Sequence, residues 1–222
     1  MSRFLQPVWL VNVLPIIVLS IVAFAQDESA TVTFTLDFPT SEPEHYSIQI
    51  RSDGTSHYES SGRLSSDSEA VDNFELSFTV SGEMRRKVFD LAAKADYFRK
   101  DLDSHRKGLA STGKKTLRFK DAQRSGQTTY NYSSNQSVQA LTSLMQNLSA
   151  TLEFGHRLQY ERQYQKLALE EELKRMEEMV KDNELSEMGA IQPILQQISD
   201  DPSVVNVSRA RAQRLLERVT AR

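Results

Sequence analysis

Cysteine is absent from the 222-residue chain, which excludes disulfides, thiolate metal ligands and lipid attachment at a cysteine. The fold must therefore hold by packing. An excess of either charge is missing too: 27 Lys and Arg face 30 Asp and Glu, a formal net charge of −3. The two signs are interleaved, so no net field points to nucleic acid. Histidine is scarce, with four scattered residues, His45, His57, His105 and His156, each of which reads as a surface or boundary residue.

Catalytic and metal signatures are equally thin. The most site-like loop is residues 101–113, polar and holding two glycines just before a strand. Asp101 and Asp103 stand at alternate positions as calcium ligands would, but the glycine, the further carboxylates and the closing glutamate of an EF-hand loop do not occur at their spacings. Ser104 and His105 are neighbours in sequence and do not aim at one another, and no Gly-x-Ser-x-Gly elbow occurs. The loop reads as a connection, and no cofactor or metal is expected.

One long apolar run is present, at the N-terminus. Arg3, the run from Val8 to Ala23 and the triplet Ala23-Phe24-Ala25 before Gln26 match a secretory signal over residues 1–25. A periplasmic or secreted location is expected. The alternative is an uncleaved membrane anchor, since the run approaches spanning length; Pro7, Asn12, Pro15 and the cleavage triplet weigh against it.

After the signal, residues 26–154 alternate like a half-buried sheet. Val32, Phe34, Leu36 and Phe38 interleave with threonines and Asp37, and Tyr46, Ile48 and Ile50 interleave with Ser47, Gln49 and Arg51. A two-residue turn at Asp53-Gly54 would put Tyr58 on the wrong face of that hairpin. A three-residue Ser52-Asp53-Gly54 turn with a left-handed Gly54 sets Ile48 opposite Tyr58 and Ile50 opposite Ser56, and is the expected register. Residues 60–72 are serine-rich and acidic and read as a surface loop. Phe74, Leu76, Phe78 and Val80 give a further strand.

Ser81 caps a helix whose stripe is Met84, Val88, Leu91, Ala92 and Ala95, closed by Tyr97 and Phe98. Its Arg85-Arg86-Lys87 run spreads around the helix and reads as solvated. Residues 114–120 and 127–133 form a second hairpin with Leu117, Phe119, Tyr130 and Tyr132 available to one face. A helix capped by Ser134 or Asn135 then carries Val138, Leu141, Met145, Leu148 and Leu152 across the sheet.

Gly155 is the only breaker in this helix and marks a bend or short interruption. Residues 155–222 form a helical tail. Leu169, Leu173, Met176 and Val180 line one amphipathic helix, and a helical hairpin follows over residues 184–199 and 203–219, with Pro193 inside its first helix. Arg209, Arg211, Arg214, Arg218 and Arg222 make the end basic. They are either cations near helix C-termini or a docking patch for an acidic surface, with Arg209, Arg211, Arg214 and Arg218 the candidate interaction residues.

The expected fold class is α+β, an antiparallel sheet of about six strands covered on one face by helices, with a C-terminal helical extension. The element order, with Tyr46-Ser-Ile-Gln-Ile-Arg-Ser-Asp-Gly54, Tyr58-Glu59 and Lys115-Thr-Leu-Arg-Phe119, resembles small exported bacterial domains of unknown function over about residues 31–154. That resemblance implies the one-sided sheet and carries no activity or functional residues. The expectation is a non-catalytic binding module of the cell envelope with a protein partner, no nucleic acid, and membrane contact only through an uncleaved N-terminal segment. The alternative is an enzyme that uses a histidine with nearby carboxylates.

Overall fold

The computed structural model describes residues 29–39, 41–63 and 71–220. The signal segment, residues 64–70 and Arg222 lie outside the described residues. Strands β1 (Thr31–Asp37), β2 (His45–Arg51), β3 (Thr55–Arg63), β4 (Val71–Thr79), β5 (Lys114–Lys120) and β6 (Ser125–Tyr130) pair antiparallel in the order β4-β3-β2-β1-β5-β6. Five helices follow or interrupt them: α1 (Gly82–Lys94), α2 (Gln136–Tyr164), α3 (Leu169–Lys181), α4 (Gln192–Asp200) and α5 (Asn206–Thr220). The chain is an α+β fold with a helical C-terminal region.

Period-two alternation makes the sheet one-sided. Val32, Phe34, Ile48, Ile50, Tyr58 and Leu117 are fully buried beneath α1 and α2, while the odd positions of β2 to β4 face outward. Ile48 pairs with Tyr58 and Ile50 with Ser56, and Gly54 takes φ +94°, the left-handed residue that the bulged turn requires. β3 and β4 run further than their residue types suggest, so residues 60–63 and 71–72 are strand rather than loop; backbone pairing down to Arg63↔Val71 overrides the polar side chains.

α1 starts where expected: Ser81 Oγ accepts the Met84 N–H at 3.1 Å. α2 is capped by Asn135, whose Oδ1 accepts from Ser137 and Val138. Three positions differ from the sequence reading. Tyr132 lies beyond β6 and is 39 % exposed, its hydroxyl accepting from Gln139. Pro193 sits in the first turn of α4, where its missing N–H costs nothing. Gly155 does not interrupt α2, which runs unbroken to Tyr164; the interruption falls at residues 165–168.

That unbroken helix joins two cores. Val138, Leu141, Met145, Leu148 and Leu152 complete the sheet core. From Phe154 onward, Phe154 and Leu158 enter a second core with Leu173 and Met176 of α3, Leu195 and Ile198 of α4, and Leu215 of α5. The tail is a packed layer sharing its central helix with the sheet.

Candidate functional site

Several polar groups of the sheet core pair with one another. Tyr58 and Ser60 donate to Glu153 Oε1 at 2.7 Å each, and the Tyr130 and Thr142 hydroxyls are 2.5 Å apart. Burial pushes the Tyr130 phenol up to about 12 and that of Tyr58 well above its ordinary range, so both stay protonated. The Lys115 ammonium, on the core face of β5, is ringed by Thr112 and by the carbonyls of Gly113 and Asn131; desolvation lowers its pKa.

The histidines do not converge. His45 meets Asp37 at 2.6 Å, His57 lies 3.4 Å from Ser77, His105 meets Asp101 at 2.7 Å, and His156 meets Asp72 at 2.7 Å while stacking on Phe74. Each lines a different depression. The space beside His156 and Glu153, ≈ 30 Å³, suits a water rather than a substrate. The Asp101–His105 loop is stitched to the β6 edge, with Leu102 donating to Thr128 Oγ1 and Asn131 to Asp103. Its contact with the Asp101 carboxylate raises the His105 pKa. Among the described residues no group of His, Asp and Glu could hold a metal ion, and no helix is long and apolar enough to cross a membrane.

The basic residues of the tail separate into bound and unbound groups. Arg211 pairs with Glu177 and Glu170, and Arg214 Nε donates to Glu177 at 2.8 Å, which ties α5 to α3. Arg209 donates to Asn206 on its own helix. Arg218 has no ion-pair partner among the described residues, and it lines a broad concavity of the described surface.

That concavity is a groove of ≈ 770 Å³ between α1, the C-terminal ends of α3 and α5, and the 183–189 connection. Its floor is Met84, Leu144, Val180, Leu185, Met188 and Val219, and its rim carries Lys87, Lys181 and Arg218 with Glu83 and Glu187. The connection is anchored at several points. Asn147 Nδ2 donates to the Asn183 carbonyl and Ser186 N–H to Thr151 Oγ1. Glu187 adopts φ +54°, a left-handed backbone that costs a non-glycine residue about 1 kcal/mol. Its carboxylate accepts both the Ser81 N–H and the Ser81 O–H at 2.7 Å, an anion placed at the α1 N-terminus.

Lys87 and Lys181 are exposed and, like Arg218, make no ion pair with any described residue. Lys87 belongs to the solvated run on α1 and Arg218 to the candidate patch on the tail, so folding brings together two stretches that the sequence keeps 131 positions apart. Sequence reasoning missed Leu144, Glu187 and Met188. The available signal was that Val180 and Val219 end their apolar stripes, and stripe ends remain partly exposed when the next element stops short.

A second polar cluster lies between α2 and α3. Arg157 Nε donates to Glu172 at 2.5 Å and Arg175 pairs with the same carboxylate at 2.9 Å. Glu161 has a buried Oε2 with no hydrogen-bond partner. Burial, then repulsion from Glu172, raises its pKa to about 7 against the pull of Arg157 and Arg175. A raised carboxylate pKa stabilises the fold fully below the unfolded value, and that contribution is lost as pH rises through the folded value. Glu161→Gln is therefore expected to raise stability at pH 8 by about 1 kcal/mol, discounted because the group is only partly buried, and to change little at pH 4.5. Urea melts at the two pH values check this, and equal effects at both would refute it.

No protein-family model and no curated protein matches the chain.

Proposed function

We propose that the chain is an exported, non-catalytic interaction module of the cell envelope, periplasmic or secreted, that holds a protein partner in the groove between α1 and the tail. The observation that carries this reading is the groove itself. It combines an apolar floor with cations that have no ion-pair partner among the described residues, whereas the histidines and the Arg211 and Arg214 guanidiniums each meet an internal partner. Its lining combines apolar surface with a few charged groups at the edge, as recognition surfaces do. Export rests on the residue pattern of the first 25 positions. The enzyme reading lacks comparable support, since each histidine has a separate partner and a separate surrounding.

The test uses the full chain in the cell that makes it, with benzoylphenylalanine at Lys181 on the groove rim or at Gln49 on the open sheet face. Irradiation is expected to link one envelope protein from position 181 and none from 49, and the exported form is expected to begin at Gln26 by mass spectrometry. Equal adducts from both positions, none from either, or a cytoplasmic chain with an intact N-terminus would overturn the proposal.

A further inference from the structure

We infer that the occupant of this groove is an acidic peptide segment that presents apolar side chains to the floor and carboxylates to the rim. The inference rests on the interaction-module reading and deepens it by naming the chemistry of the partner.

Charge supplies the first argument. Lys87, Lys181 and Arg218 face the groove without an ion-pair partner among the described residues. Of the two carboxylates on the same lining, Glu187 is already committed to two donors of Ser81, and only Glu83 remains open. Incoming carboxylates therefore find unengaged ammonium and guanidinium groups, and a cationic segment would leave those groups repelled.

The distribution of the cations supplies the second. Lys87 lies on α1, Lys181 at the end of α3 and Arg218 near the end of α5. The three cations stand on three different helices around one groove, an arrangement that a peptide with several spaced Asp or Glu residues can address together. The floor fixes the remaining chemistry: Met84 and Met188 are unbranched and polarizable and repack around a variety of aliphatic or aromatic side chains, and Leu144 and Val219 are only partly buried, leaving apolar surface for a partner to cover.

The test displays a random peptide library against the full mature chain and against a Lys87→Glu/Arg218→Glu variant. Both positions are exposed, and an unchanged melting temperature verifies the fold of the variant. The expected result is enrichment of peptides rich in Asp and Glu that also carry Leu, Met or Phe. Their affinity by fluorescence anisotropy is expected to fall about tenfold or more in the variant and to weaken as salt rises. Enriched basic or neutral peptides that still compete for the groove would overturn the acidic partner and leave the module reading standing. Acidic peptides bound equally by the variant would overturn the groove assignment. A library with no enriched peptide, alongside saturable binding of a fluorescent fatty acid or of nothing at all, would overturn both readings.

Discussion

Gly155→Leu is expected to lower the unfolding free energy by about 3 kcal/mol, measured by urea denaturation. A Cβ built on Gly155 would stand 2.5 Å from Ile191 Cγ2 and 3.3 Å from Ile191 Cβ. Ile191 is buried in the second core, and its Cγ2 is fixed directly to a branched Cβ, so it cannot swing aside as the end of a long side chain would. Gly155→Ala is expected to cost less, about 1 kcal/mol, because the overlap is offset in part by the helix propensity of alanine over glycine, worth about 1 kcal/mol. Ile191→Ala alone is expected to cost about 2–4 kcal/mol through its cavity. Combined with Gly155→Leu it should cost clearly less than the sum, since the added side chain fills the space vacated. Additive costs, or a leucine variant as stable as the parent, would count against close approach as the reason for this glycine. The same contact positions the turn that carries Met188, so Gly155→Leu is also expected to loosen the groove floor.

Gly155 marks the boundary of what could be read from sequence. A glycine in a helical pattern has two explanations, a bend or a close neighbour, and only the tertiary structure supplies the neighbour. The sheet was legible because each of its determinants is local. Alternation at Tyr46, Ile48 and Ile50 chose the face, and the left-handed Gly54 chose the register observed at Ile48↔Tyr58. The ends of β3 and β4 were not, because Ser60, Ser61 and Asp72 are strand residues by virtue of pairing with a neighbour rather than by propensity. Arg209, Arg211, Arg214 and Arg218 looked alike as a basic run. Their separation into bound and unbound depends on Glu170 and Glu177, which lie more than thirty positions earlier on a different helix. The groove shares that character, since its rim is assembled from α1 and the ends of α3 and α5, which no local pattern connects.

Glu177→Ala is expected to cost about 2 kcal/mol, and the loss should extend beyond stability. Glu177 is 14 % exposed and binds Arg211, itself 19 % exposed, together with Arg214. Removing the carboxylate leaves two guanidiniums, one of them largely desolvated, with Glu170 as the remaining anion for Arg211. Glu177→Gln retains an acceptor and removes the charge, so it should fall between the parent and the alanine variant. The pH dependence separates this cluster from Glu161. Burial by itself would raise the Glu177 pKa, but the Arg214 and Arg211 guanidiniums outweigh it and the value is lowered. A depressed carboxylate pKa contributes stability that is complete above the unfolded value near 4.3 and is lost as pH falls through the folded value. Glu161 acts in the opposite direction, losing its contribution as pH rises through about 7. For these two groups together stability should peak near the unfolded carboxylate value, at about pH 4.3, with Glu177→Gln flattening the acid side and Glu161→Gln the alkaline side. Since Glu177 fixes α5 against α3, and the ends of those helices carry Arg218 and Lys181, Glu177→Ala is also expected to weaken binding in the groove without altering a residue that lines it. A variant that lost stability but held groove ligands as tightly as the parent would show that the rim is positioned by other contacts.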